Sequence, residues 1–335
     1  ALIIAAGLGS RMYAVGDTKP LVSLLGLNLI ERVILTAKKS GIKEFCIVTG
    51  YNGEKIREQL SDGKKHGVKI QYIQNDQWTK GNAFSVLKAK NYFKKPFVLL
   101  MADHNYDHRI LDRLLKTKIG KDECILCVDN NPKDHLNIDD ATKVRTIDHR
   151  IETIGKNLSD YNCIDTGIFI CNPVIFDALE ESISKGDEGL SGGVNVLAQR
   201  NKMRYLRLAD NFWIDIDDKT DLKNAERFLC IKLKKLVRLG TPIGQNQKKQ
   251  YLCPHFLLGF RVEVVGPEQA ATALPPPVDG DPIPPLQAFD LVPPHCRLEL
   301  FFGPVDELFG EHTRGESVPL PRGPERPGGD LQSLV

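Results

Sequence analysis

Three observations predict an α/β fold with a mixed, mostly parallel sheet and helices on both of its faces. Short apolar runs rich in β-branched and aromatic residues alternate with segments of helical period through the first 240 residues. Alternation at this spacing builds βαβ units, whose crossover helices cover both faces of a sheet. The composition, 41% hydrophobic and 26% charged, is that of a globular chain and excludes collagen-like, coiled-coil and wholly disordered classes.

The elements follow in order. Strands are predicted at Leu2–Ala6, Phe45–Thr49, Val68–Ile73 and Phe97–Met101. Between them Leu29, Ile30, Val33, Ile34 and Ala37 recur at helical spacing, and Glu54–Leu60 and Ala83–Tyr92 also read as helices. Further strands fall at Glu123–Val128, Thr142–Ile147, Gly167–Cys171 and Tyr205–Leu208. Further helices fall at Ile110–Leu115, Pro173–Ser182, Val194–Arg200 and Thr220–Leu236. In open sheets of this kind ligands bind beyond the carboxyl ends of the strands, which directs attention to the loops after the first and fourth strands.

The formal charge of +2 averages two unlike segments. Residues 1–249 carry 40 basic and 31 acidic side chains, a net of +9, and residues 250–335 carry 5 and 12, a net of −7. Fifteen of the 20 prolines lie beyond Lys249, the last lysine. Past a basic body, residues 238–335 are expected to form an irregular, Pro-rich acidic tail, because proline clusters favour extended conformers over a packed core. That tail reads as a disordered segment, as a Pro-rich partner-binding segment or, the leading account given the sudden loss of lysine, as translated sequence from an unrelated reading frame. No apolar run reaches the roughly 18 residues of a membrane span, and the first residues lack the basic region of a signal peptide. The eight cysteines are scattered; Cys124 and Cys127 read as buried small hydrophobes, and the set fits a reducing cytoplasm. The positive body fits anionic substrates better than nucleic acid, since no basic run with interleaved aromatics occurs.

The first strand runs into Gly7-Leu8-Gly9-Ser10-Arg11-Met12, with Lys19-Pro20-Leu21 after a short loop. A glycine-rich turn after a strand lets backbone N–H groups converge on a phosphate, and Arg11 and Lys19 add positive charge. A dinucleotide fingerprint fails because its third glycine is Met12 and the second strand ends Val48-Thr49-Gly50, without an acid. A Walker loop fails for want of Gly-Lys-Ser/Thr.

The stretch Leu2–Met12 through Lys19-Pro20-Leu21 resembles the opening signature of the nucleotidyltransferases that make nucleoside-diphosphate sugars and alcohols. The resemblance spans about residues 1–237 and implies a Rossmann-like fold of the nucleotide-diphospho-sugar transferase type. It implies that Ala6, Gly7, Gly9, Ser10 and Arg11 hold a nucleoside triphosphate, and that Arg11 and Lys19 are catalytic, the lysine reaching the reacting phosphates. Met101-Ala102-Asp103-His104 resembles the family's metal-binding aspartate segment, so Asp103 is read as a nucleotide and metal contact. Trp213-Ile214-Asp215-Ile216-Asp217 resembles its second acidic motif. Asp215 is the first-choice partner and Asp217 the next; alternation along a strand places both on one side. Hard carboxylates suit Mg²⁺, the cofactor the resemblance implies. Asp103 also reads as a helix cap, and His104 and His108 read as solvated or cap-supporting residues rather than bases.

Gln74–Leu87 occupies the base-recognition segment, and its Gly81-Asn82-Ala83-Phe84-Ser85 resembles the branch that uses CTP. Asn75, Gly81, Asn82 and Ser85 are the base or ribose candidates, with helix capping the alternative for Asn82 and Ser85. Ile154-Gly155-Lys156 resembles the loop whose lysine binds the incoming phosphate, and Asp165-Thr166-Gly167 a strand start beside the acceptor, giving Lys156, Thr166 and Gly167 as acceptor residues. Gly192 and Gly193 fall in a segment that often borders the acceptor. The pattern resembles most the archaeal inositol-1-phosphate cytidylyltransferases, the soluble half of bifunctional enzymes whose other half is membrane-embedded. The partners implied are CTP and inositol 1-phosphate, with membrane association only through that second half. Alternatives within the family are a sugar-1-phosphate nucleotidyltransferase using another triphosphate and a phosphocholine cytidylyltransferase. Outside it stand a silent nucleotide-sugar binder and an interaction protein acting through the tail.

Overall fold

Leu2–Ala5 forms the first strand, β1, and leads through the glycine loop and a 3-10 turn at Lys19–Leu21 to a short hairpin, β2 (Ser23–Leu24) and β3 (Leu27–Asn28). The computed structural model describes residues 1–132, 136–209 and 211–239, with three strands beyond them. Helix α1 (Leu29–Lys39) has its first turn closed by Glu31, whose carboxylate accepts the Asn28 N–H at 3.1 Å. Next come β4 (Glu44–Thr49), α2 (Gly53–Leu60), β5 (Lys69–Gln74), α3 (Asn82–Leu87), β6 (Phe97–Met101), β7 (His104–Tyr106) and α4 (His108–Lys116). The second half runs β8 (Cys124–Asp129), β9 (Lys143–Ile147), β10 (Arg150–Gly155), β11 (Cys163–Cys171), α5 (Val174–Ser184) and α6 (Leu190–Gln199). It closes with β12 (Met203–Arg207), β13 (Trp213–Asp215) and α7 (Lys219–Leu239).

Nine strands form one sheet in the order β5-β4-β1-β6-β11-β8-β12-β10-β9. β5, β4, β1 and β6 are mutually parallel, β8 and β12 share their direction, and β11 runs against β6 and β8. The mixed, mostly parallel sheet is therefore present as expected. Connections step outward from β1 on one side to β4 and β5, then return to β6 on the other. That reversal places the loops after β1 and β6 together, a topological switch point.

Alternation along the strands divides the core in two. Leu2, Cys46, Val48, Leu99, Leu126 and Val128 pack with α3, α5 and α6. Ile3, Phe45, Ile47, Leu100, Ile125 and Cys127 pack with α1, α2 and α4 on the other face. Adjacent side chains in a strand point to opposite faces, so a strand buried on both reads as a continuous apolar run. Cys124 and Cys127 fall on opposite faces of β8 by the same rule, which confirms them as packing residues. A third cluster joins Met12, Leu24 and Leu29 to Ile214, Ile216 and the inner face of α7, fastening the acidic segment beside the glycine loop.

Some elements differ from expectation. The α3 helix ends at Leu87, after which i→i+3 bonds such as Lys90 N–H to Leu87 O carry tighter turns toward Pro96. The segment ending Ile154-Gly155 is the strand β10, reached from β9 through Asp148 and His149, both left-handed at φ 45° and 64°; two such residues close a hairpin without needing glycine. Gly192 and Gly193 lie inside α6 facing α5, where a Cβ would collide with Ser182 and Leu179. Their smallness serves the packing of α6 on α5. The tail, expected to be irregular, contains β14 (Lys248–Cys253), β15 (Leu258–Val264) and β16 (Cys296–Phe301) in an antiparallel sheet. Apolar residues alternate along Leu258–Val264 and Cys296–Phe301, the period expected of strands. The proline clusters at 275–277 and 284–285 lie outside the described residues.

Asp107, not Asp103, caps the helix after β6. It is 1% exposed, accepts the Arg109 N–H at 3.0 Å and meets the Arg109 guanidinium at 2.5 Å. Burial alone raises its pKa, but the bonds from Arg109 carry the carboxyl below the usual carboxylate range. Stability from such a depressed group is present above the unfolded value near 3.9 and is lost as pH falls through the folded one. Asp107→Ala should therefore lower unfolding free energy by about 1–2 kcal/mol at pH 7. In urea melts at successive pH values the deficit should shrink below pH ~4.

Candidate functional site at the ends of the first and fourth sheet strands

Beyond β1 the chain exposes Gly7, where a Cβ would meet nothing within 4 Å, leaving open space over the loop. Ala6 lies beneath it, its carbonyl accepting the Tyr51 N–H at 3.0 Å. Gly9 has a different duty: at φ +62° its missing Cβ would sit 2.5 Å from Lys19 Cβ, so the glycine clears the path of the lysine. Ser10 and Arg11 are exposed at the start of a 3-10 turn.

Lys19 is 7% exposed, and its Nζ lies 2.6 Å from both Asp103 Oδ2 and Asp217 Oδ1. Burial pulls its pKa down, but Asp103, Asp215 and Asp217 outweigh that and hold the ammonium above the usual lysine range. Arg11 donates to Asp217 Oδ2 at 2.7 Å and pairs with Asp140. Asp140 in turn accepts from Lys156 Nζ at 2.9 Å, and both cations hold its carboxyl below the usual range. A chain of alternating charges thus runs Lys156, Asp140, Arg11, Asp217, Lys19, Asp103.

The β7–β13 ribbon supplies the rest. Its register sets Asp215 opposite His104, with Asp215 Oδ1 at 3.3 Å from His104 Nε2. The His104 ring is held by Thr166 O at 2.7 Å from Nδ1, and Thr166 is itself tied to Cys127 O at 2.8 Å. Burial opposes a charge on His104, yet Asp215 and Asp103 push its pKa up to about 10. His104 is thus enclosed beside carboxylates rather than solvated or supporting a helix cap, the two roles expected from sequence. His108 is enclosed too, Nδ1 lying 3.4 Å from the capping Asp107.

Among the described residues, Asp103, His104 and Asp215 form the group whose ligand atoms lie within 4.8 Å of one another. A hard cation takes oxygen ligands, so the donors this group offers it are the two carboxylates. Asp215 Oδ1 is buried, with His104 Nε2 beside it at 3.3 Å. These residues fit Mg²⁺. Asp217 falls outside the group: β13 ends at Asp215, alternation ends with it, and Asp217 turns to Lys19 and Arg11.

The base candidates divide. Asn75 is fully buried and donates to Ser85 Oγ at 3.0 Å; the two brace the loop from beneath rather than face open space. Asn82 does not cap its own helix. Its Oδ1 accepts the Leu190 N–H at 2.6 Å, and Gly81 is compressed against the backbone of Glu188, so α3 is joined to the start of α6. Asn82, Lys156, Gly167, Asp215 and Asp217 line one pocket, with Asp140 and Asp165 beside them. Sequence reasoning missed Asp140, for which no spacing gave a signal, and undervalued His104, whose place beside Asp103 was one. The pocket is rich in carboxylates, so the body's net +9 does not originate there.

Residues 1–231 match the nucleotidyl transferase family. The chain is 31% identical over 233 residues to a bifunctional IPC transferase and DIPP synthase of Rubrobacter xylanophilus, covering 68% of this chain and 51% of that one. Against the protein of the same name from Archaeoglobus fulgidus it is 31% identical over 229 residues, covering 68% and 43%. The chain thus spans about half the length of the curated relatives it matches. Among solved structures, the inositol-1-phosphate CTP transferase from T. maritima superimposes with a TM-score of 0.59 at 22% identity, covering 68% of this chain and 94% of that one.

Gly167 (φ +68°) lies against His104, whose ring atoms would be 2.5 Å from an added Cβ. Gly167→Ala should lower stability by at least about 1–2 kcal/mol from the left-handed backbone alone. Ring proton resonances of His104 should shift with it, and an unshifted ring would show that the close approach does not hold the imidazole.

Proposed function

The chain belongs to the nucleotidyl transferase family and is a nucleotidyltransferase, and on that premise we propose that it transfers CMP from CTP to inositol 1-phosphate, releasing pyrophosphate. The observation that carries the reading is the convergence of the glycine loop, buried Lys19 and the Asp103–Asp215 pair beside a pocket holding Lys156. The names of the relatives, IPC transferase and inositol-1-phosphate CTP transferase, supply the substrates.

The nucleophile is a phosphate monoester oxygen. With a second pKa near ~6 it is largely ionised at neutral pH and needs no general base. The protein's task is to hold the acceptor phosphate in line with the α-phosphorus and to offset charge building on the leaving pyrophosphate. Amides at Gly7, Gly9 and Ser10 cradle the triphosphate, and Ala6 carries their strand end. Arg11 and Lys19 exchange carboxylate partners for phosphate oxygens. Lys156 leaves Asp140 to take the incoming phosphate, with Thr166 and Gly167 setting the wall behind it. Asp103 and Asp215 would hold Mg²⁺, which supplies charge neutralisation at the phosphates when bound. Asp217 fits better as the counter-ion of Lys19 and Arg11 than as a ligand. Asn75, Gly81, Asn82 and Ser85 shape the loop against which cytosine is read. Residues 1–237 form the catalytic unit, with 238–335 outside it. No helix of the described residues is long and apolar enough to cross a membrane; association with one would come only through a second enzyme half.

The test is pyrophosphate release across four nucleoside triphosphates crossed with the phosphates of inositol, choline and glucose. CTP with inositol 1-phosphate should give the highest kcat/KM; a hexose phosphate with another triphosphate leading would replace the reading. Asp103→Ala should lower kcat by about 10²–10³-fold or more. Lys156→Ala should raise the acceptor KM with little change in that for CTP, and the reverse pattern would remove its assigned role.

A further inference from the structure

The segment 13–18 leads from Arg11 to Lys19, and three side-chain attachments tie it to the turn between β4 and α2 and to the first turn of α2. Tyr13 and Tyr51 share a hydroxyl hydrogen bond at 2.5 Å, and the Tyr51 ring leans on Trp78 with centroids 5.3 Å apart. Lys55 pairs with Asp17. Asn52 Nδ2 donates to Asp17 O at 3.1 Å and to Thr18 Oγ1 at 3.0 Å.

Their weights differ. The Lys55–Asp17 pair is half-exposed on both sides and such pairs contribute little. Tyr13 is 47% exposed, so its contact competes with water. Asn52 instead spends both amide hydrogens on the two residues before Lys19, and Thr18 is only 4% exposed. Asn52 is left-handed at φ 49°, ψ 32°, a conformation asparagine tolerates better than other residues with a side chain, and here it aims the amide across the gap between loops.

We infer that Asn52 is a positioning residue for Lys19, a role that rests on the nucleotidyl-transfer reading of that lysine. Lys19 must present its ammonium, paired at rest with Asp103 and Asp217, where the reacting phosphates arrive, and a small displacement there lowers rate more than affinity. Its backbone follows directly on the atoms Asn52 holds. The β4–α2 turn therefore sets the register of the phosphate-binding lysine from outside the pocket.

Asn52→Gly keeps the left-handed backbone and removes only the amide. It should lower kcat about tenfold with the acceptor KM within twofold. In a Lys19→Ala background the same change should add nothing, because the only group it positions is gone. Asn52→Asp, which replaces the donor with an acceptor facing Asp17 O, should be at least as impaired as the glycine variant. Independently of turnover, hydrogen exchange of the peptide spanning residues 12–22 should quicken in Asn52→Gly while the sheet peptides hold their wild-type rates. Additive losses in the double variant, or unchanged exchange in that peptide, would overturn the inference. Should no triphosphate and acceptor pair turn over, the substrate reading fails by itself, and the exchange result alone decides the clamp.

Discussion

A lysine ammonium almost withdrawn from water and held between carboxylates is the interaction on which the rest of this site depends. Lys19 is 7% exposed, with Asp103 and Asp217 each at 2.6 Å. A buried charge deprived of its partner costs about 3–5 kcal/mol, so the parts that deliver those partners are constrained together. Asp103 stands in the turn between β6 and β7. Asp215 and Asp217 arrive on a segment that the β7–β13 ribbon aligns and α7 presses down through Ile214, Ile216 and Leu222. Gly9 must lack a Cβ for the lysine stem to pass.

The same electrostatics explain how the pocket is kept ready. Arg11, Lys19 and Lys156 are each paired with a carboxylate, and Asp140 bridges two of them. Such pairs hold long side chains near working positions and avoid isolated charges in a partly dry cleft. In the proposed reaction, phosphates entering the pocket would replace one set of anions with another, and the cations would change partners rather than lose them. That balance makes the positive surplus of residues 1–249 irrelevant to the chemistry itself.

Legibility followed sequence locality. Gly7 to Lys19 could be read because the motif is a contiguous strand, turn and loop, and Asp103 because it ends an unmistakable apolar run. Asp215 was legible as part of an acidic segment, but its separation from Asp217 was not. Two-residue spacing means a shared side only while the strand lasts, and β13 stops at Asp215. Asn75 and Ser85 were found as a pair of polar residues in the right segment, yet their burial and mutual bond are tertiary facts. Asp140 left no local trace: its partners lie at positions 11 and 156, on two other loops.

By itself the sequence determined the alternating elements, the two-faced core and the family, because periodicity and a contiguous phosphate-loop motif are local properties of the chain. Only the tertiary structure decided which cation met which carboxylate, that His104 is enclosed, and that α6 glycines serve packing. Charge pairing and burial depend on distances between loops that are far apart in sequence. Those distances are set when the strands take their order in the sheet.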